Sequence, residues 1–287
     1  MGAAAPVPGE ELDEDAVLDL LSRGELEVCG RLISASNTTL LARVRLDGLE
    51  GACVYKPVAG ERPLWDFPSR TLARREAAAY LLSAVAGWNV VPPTVLRDGP
   101  MGTGSVQWWV HDGRMDGDGD PMAPEAGGGL VDVLDPGEVP PGWRRVLEAE
   151  SMDGSAVVLA HADHDALRRM AVFDVVANNA DRKGGHVLRD ASGTVFGVDH
   201  GLTFHAEHKL RTVLWGWSGE RLTAAENETL ARLLADLDGD GPLATGLARL
   251  LDPEEVAGTR HRAARLLSAG RHPRPAPGRP AIPWPAF

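Results

Sequence analysis

The chain has 287 residues, 44% of them hydrophobic, which suits one large domain or two small ones around a sizeable core. Its formal net charge of -12 and the lack of a Lys/Arg cluster exclude a general nucleic-acid binder, because phosphate contacts need a concentrated basic face. No apolar run approaches the roughly 18 residues of a membrane span, no signal peptide is visible, and Cys29 and Cys53 lack a CxxC spacing, so buried, reduced thiols and a cytoplasmic location are expected.

Residues 1–12 read as a disordered N-terminus. Over 13–22, Val17, Leu18, Leu20 and Leu21 recur at helical spacing behind acids in the first turn, which predicts a short amphipathic helix ending at Gly24. Strands are predicted over 25–32 and 39–46, joined by the small polar turn Ser34-Ala35-Ser36-Asn37-Thr38. Such a flap can lie over phosphates with its backbone N–H groups. It carries no GxGxxG and no Walker A pattern, so an ordinary hairpin is the plain alternative.

A third strand, 51–56, ends on Lys56 before Pro57. Alternation turns Lys56 inward, and a buried lysine needs a partner. Glu76, the single acid of a helix predicted over 71–85, offers one; a surface lysine beside a solvated Glu is the alternative. An extended stretch over 90–96 and a turn over 97–100 lead to a β-type run, 105–111, in which Trp108 and Trp109 read as core aromatics. Residues 112–129 form a Gly/Asp/Pro-rich linker or mobile loop. Its DGDGD run lacks the distal Glu of a calcium loop.

After the linker the character turns helical, with short pieces at 131–134 and 143–150 and a strong helix over 164–177. The cluster His161, Asp163, His164 and Asp165 has the residue types of a metal hydrolase, but it lies at a helix start, where Asp caps are common. The helix delivers the chain to a polar loop, 178–186. Short strands over 187–189 and 194–198 follow, and the second ends on Asp199-His200-Gly201. Asp181 and Asp199 therefore flank one hairpin on the same side of a cleft. Two carboxylates so placed suit metal-dependent phosphoryl transfer, one orienting and deprotonating a hydroxyl and the other holding the metal on a nucleoside triphosphate. Acidic loops beside glycines are also ordinary turns. Lys209 and Arg211 make a locally basic patch, Trp215 and Trp217 read as buried, and helices are predicted over 222–237, 243–251 and 253–267. The Pro-rich tail, 271–287, is expected to be an extended wrap or a disordered end.

Read as a series, Tyr55-Lys56-Pro57, the run from Arg75-Glu76 to Leu82, Asn179-Ala180-Asp181-Arg182 and Val198-Asp199-His200-Gly201-Leu202-Thr203-Phe204 resemble the phosphoinositide 3-/4-kinase-like branch of the protein kinase-like superfamily. The type II phosphatidylinositol 4-kinase-like group and actinobacterial kinase-like proteins are the nearest in pattern. The resemblance spans roughly residues 25–270. It implies an α+β, two-lobed protein kinase-like fold: a small β-rich lobe over 13–111, the linker, and a mainly helical lobe over 130–270.

It also implies an ATP-dependent kinase acting on a hydroxyl of a protein, a small molecule or a phosphoinositide, with Mg²⁺ or Mn²⁺ as cofactor. In that family Lys56 corresponds to the lysine on the ATP phosphates, held by Glu76, and Asp181 to the catalytic acid, braced by Arg182. Asp199 corresponds to the metal ligand. Nucleotide contacts fall to Ser34, Ser36, Asn37 and the backbone of Gln107, Trp108, Trp109 and Val110. One departure stands out. The family's metal-binding Asn is here His186, whose imidazole suits Mn²⁺ or Zn²⁺ better than Mg²⁺. His186 could ligate a softer metal, donate to phosphate, or mark a nucleotide-binding pseudokinase; Asn178 or Asn179 could supply the oxygen instead. AMP transfer on the same fold is a further alternative.

Overall fold

The structure, a computed structural model, describes residues 12–32, 37–114, 124–151 and 153–287. It is α+β, as expected. Five antiparallel strands, β1 (Glu25–Arg31), β2 (Leu40–Leu46), β3 (Leu49–Pro57), β4 (Thr94–Gly99) and β5 (Gly102–Trp108), form one sheet in the order β1-β2-β3-β5-β4. Helix α1 (Glu14–Arg23) starts where the Asp13 carboxylate accepts the Ala16 N–H at 2.8 Å. Its Val17, Leu20 and Leu21 pack with Ala42, Val44, Cys53, Tyr55 and Val106 into a small core of their own. Helix α2 (Leu72–Ala86) packs against β4 and β5 and ends on Gly87 at φ 69°, a left-handed conformation that glycine adopts without strain.

Cys53 is buried, which pushes its thiol up to about 12. Cys29 is exposed, contrary to expectation. It sits on edge strand β1, at a register shift between Val28 and Gly30 that leaves it unpaired.

The second correction concerns 130–162. These residues are not helical but form a three-stranded antiparallel sheet, β6 (Val131–Leu134), β7 (Trp143–Glu150) and β8 (Ala156–Ala162), in the order β6-β8-β7. Central strand β8 carries the buried run Val158, Leu159, Ala160 and His161. Edge strand β7 is largely exposed, so Arg145, Glu148 and Glu150 face water and mask the β pattern, while Arg144 pairs with Asp163 and Glu220.

Helix α3 (Asp165–Ala177) is mostly buried and runs into the loop and the hairpin β9 (Val187–Arg189) and β10 (Val195–Gly197). Helices α4 (Ala224–Asp238), α5 (Pro242–Leu250) and α6 (Pro253–Ala269) complete the larger core, in which Leu82, Phe173, Val187, Val195, Trp217 and Leu230 meet. The tail is ordered against the body: Ala281 O accepts both the Thr212 N–H at 3.0 Å and the Trp215 Nε1–H at 2.8 Å. No helix among the described residues is long and apolar enough to cross a membrane.

Candidate active site

Lys56 lies on β3 opposite Ser105 of β5, turned toward α2. Its Nζ donates to Glu76 Oε1 at 2.5 Å and to Asp199 Oδ1 at 2.9 Å. Glu76 is buried in α2, and its second oxygen accepts the backbone N–H of His200 at 2.9 Å. Strand, helix and the turn after β10 are thus tied by one lysine and one carboxylate. Asp199 has φ 60°, a left-handed conformation unusual for a non-glycine residue and a common mark of functional strain.

These contacts set the charges. Burial works against the ammonium of Lys56, but Asp199 and Glu76 outweigh it and raise its pKa. Lys56 in turn holds the Asp199 carboxyl well below its ordinary range, against burial. Burial lifts Glu76, and Asp199's charge adds to that lift against Lys56. Asp181 is also raised, by burial first and Asp199 after it, with Lys183 opposing at 3.5 Å.

A cavity of about 150 Å³ opens in front of this group, lined by Asn37, Thr39, Lys56, Glu76, Asp181 and Asp199 among others. Asn37 is committed on one side, its Oδ1 accepting the Arg62 N–H at 2.9 Å. Ser34 and Ser36 lie outside the described residues.

Gln107 to Val110 do not join that cavity. Gln107 is buried and donates to Thr94 Oγ1 at 2.8 Å. The N–H groups of Trp108 and Trp109 are taken by Pro93 O at 2.8 Å and Ala52 O at 3.1 Å. Trp108, Trp109 and Val110 line a second cavity, of about 440 Å³, between α1 and the β9–β10 turn. The reason is register. Gln107 pairs with Val54, two residues before Lys56, so the stretch leads along the sheet away from the lysine.

Arg182 is a brace and lines neither cavity. It is fully buried, with Nη2 3.0 Å from Asp174 Oδ1 and Nη1 donating to Val198 O at 3.2 Å. Its Nη2 also donates to His200 Nε2 at 2.7 Å. An arginine cannot accept, so His200 is a neutral Nδ1–H tautomer. Its pKa falls well below normal, through burial first and Arg182 next. Asp174 also accepts from Asn179 Nδ2 at 2.9 Å and Thr212 Oγ1 at 3.0 Å. Gly197 makes room for this: a Cβ there would lie 2.8 Å from the Arg182 guanidinium. Asp174 and His200 escaped the sequence reading, although a single acid inside the apolar run Val172-Phe173-Asp174-Val175-Val176 is the signal that marks a buried polar anchor.

Neither Asn178 nor Asn179 is open to a metal. Asn178 caps α3 at φ 54°, donating to His205 O and Glu207 O and accepting the Lys209 N–H. Asn179 Oδ1 accepts the Asp181 N–H at 3.0 Å. His186 remains. Burial, with Arg182, Lys183 and Lys56 assisting, pushes it down to about 4, so it is neutral. Its Nε2 lies 3.5 Å from Asp199 Oδ2 and its buried Nδ1 has no partner. Two ligands of one divalent ion at about 2.0–2.2 Å each can stand at that separation, so the pair fits a metal, and its nitrogen–oxygen character favours Mn²⁺ or Zn²⁺.

The hydrolase cluster dissolves. His161 is buried in β8, its Nε2 accepting the Gly216 N–H at 3.1 Å. Asp163 accepts from Arg144 and Trp217, and His164 caps α3. Among the described residues no group of three or more His, Cys, Asp and Glu side chains converges as a metal site.

No protein-family model matches the chain. Protein Rv2133c of Mycobacterium tuberculosis (strain ATCC 25618 / H37Rv) is 52% identical over 275 residues, which cover 96% of each chain. An identity of that level along nearly the whole length means that the chain belongs to the same family as Protein Rv2133c.

Proposed function

We propose that the chain is an ATP-dependent kinase of two-lobed, protein kinase-like architecture that transfers the γ-phosphate to an acceptor hydroxyl. The observation that carries this reading is Lys56 held between Glu76 and Asp199 at 2.5 and 2.9 Å, in the wall of a cavity that also contains Asp181. A lysine pinned by a helix glutamate is a charged, pre-positioned donor for phosphate oxygens, and positioning with electrostatics is most of what phosphoryl transfer asks of a protein. Asp181, with its raised pKa and partial burial, accepts the hydroxyl proton more readily than a free carboxylate. Asp199 and His186 are the residues that would hold a divalent ion, which would supply charge neutralisation on the phosphates.

ADP release and phosphate transfer from labelled ATP, with Mg²⁺ and with Mn²⁺, test the reading. Asp181→Asn is expected to lower the rate by about 10²- to 10⁴-fold. Equal rates in wild type and variant contradict it.

A further inference from the structure

The six residues from Asp181 to His186 carry both a candidate base and a candidate metal ligand. Each end of the segment is anchored. Arg182 is locked in the buried network with Asp174 and His200, and His186 O accepts the Val198 N–H at 2.9 Å. The middle, Lys183-Gly184-Gly185, has two glycines and therefore the greatest backbone freedom a chain can have. Two backbone bonds close it from within, His186 N–H to Lys183 O at 3.2 Å and Val187 N–H to Gly184 O, and a clamp from outside the loop would add to them.

We propose that Phe287 is that clamp, a positioning residue that orders the loop between Asp181 and His186. The Gly184 N–H donates to Ala286 O at 2.7 Å. The Phe287 ring lies so close to Gly184 that a Cβ there would meet three ring carbons at 2.2–2.6 Å. Gly127, at φ 80°, also borders the ring, and a Cβ there would lie 3.4 Å from it. Gly128 packs as tightly on the backbone of Leu188 and Arg189 in β9. The aromatic ring therefore occupies a socket whose walls are glycine backbone, one wall being the candidate catalytic loop. The tail reaches the socket already fixed at Ala281 by Thr212 and Trp215, and Pro280, Pro283 and Pro285 stiffen it, which reduces the freedom lost on docking. Phe287 is 38% exposed and stands outside both hydrophobic cores, so its removal spares the fold.

The inference rests on the reading of 181–186 as the catalytic loop, and its test separates the two. Phe287→Ala and Phe287→Leu are compared with wild type, as full chains, by amide hydrogen exchange over 183–187, by the thermal shift that an ATP analogue produces, and by the kinetics of transfer. Phe287→Ala is expected to speed exchange at Gly184 and Gly185 by about tenfold or more and to leave the ATP-dependent thermal shift unchanged. The kcat falls roughly tenfold to a hundredfold, since small misplacements of reacting groups have effects of that size, while KM for ATP stays within about twofold. Phe287→Leu restores part of both losses. Unchanged exchange at 183–187 in Phe287→Ala overturns the clamp, and so does faster exchange with an unchanged kcat. A wild type that transfers no phosphate removes the kinase reading alone, because the exchange measurement still decides the clamp.

Discussion

His186 shows most clearly how one residue's surroundings set its chemistry. Burial keeps it and His200 neutral. An ordinary histidine titrates near about 6.5, so below that pH the unfolded chain binds protons that the folded chain refuses. The native state then carries fewer protons, and stability rises with pH through the window from about 4, the value for His186, up to the unfolded value. Each such histidine makes the chain lose about 1.4 kcal/mol per pH unit on acidification within that window. Urea denaturation at pH 7 and pH 5 checks this. The stability difference between the two is expected to be about 2 kcal/mol smaller in His186→Asn than in wild type; equal differences contradict a neutral His186. The residue types of this pocket were legible in the sequence, including His186 where the resembling family has Asn. Its unpartnered Nδ1 and its spacing from Asp199 were not, because both arise from a hairpin that folds the chain back on itself.

Among the elements, α1 and α3 were readable from their apolar periodicity and end signals, α2 from its run of Ala and Leu, and the β9–β10 hairpin from its turn. The sheet β6-β8-β7 was not. Its edge strand alternates too little, with Arg145, Glu148 and Glu150 turned to water and Arg144 spent on Asp163 and Glu220, and β8 runs almost directly into the start of α3. Also hidden was the network in which Arg182 ties α3, the loop and the end of β10 together through Asp174, Val198 and His200. Both Arg182 and Asp174 are fully buried. Removing one partner of such a pair strands a charge, at a cost of about 3–5 kcal/mol, whereas replacing both by apolar groups is often nearly neutral. Arg182→Met is therefore expected to lose about 3–5 kcal/mol in chemical denaturation, and the Asp174→Leu, Arg182→Met double variant to recover much of that loss. A single-variant loss below about 1 kcal/mol contradicts a structural brace.

At the scale of the molecule, the account depends on groups that no local reading can bring together. Lys56 meets Glu76 across 20 residues and Asp199 across 143. Only the order of motifs along the chain suggested that meeting, and the same order placed Gln107 to Val110 closer to the lysine than the sheet register allows. The proposed nucleotide site is a single charged centre shared by the β1–β5 sheet, α2 and the hairpin. Ligand binding there links these elements, and stabilisation of the whole chain by about 2.7 kcal/mol is expected at 100 times the dissociation constant. The most direct test is calorimetric titration of a non-hydrolysable ATP analogue, with Mn²⁺ and with Mg²⁺, into wild type, Lys56→Met, Asp199→Asn and Asp181→Asn. Wild type and Asp181→Asn are predicted to bind alike, and Lys56→Met and Asp199→Asn at least about tenfold more weakly, a difference of about 1.4 kcal/mol. Equal affinity in all four chains would contradict the convergence of Lys56 and Asp199 on a bound triphosphate.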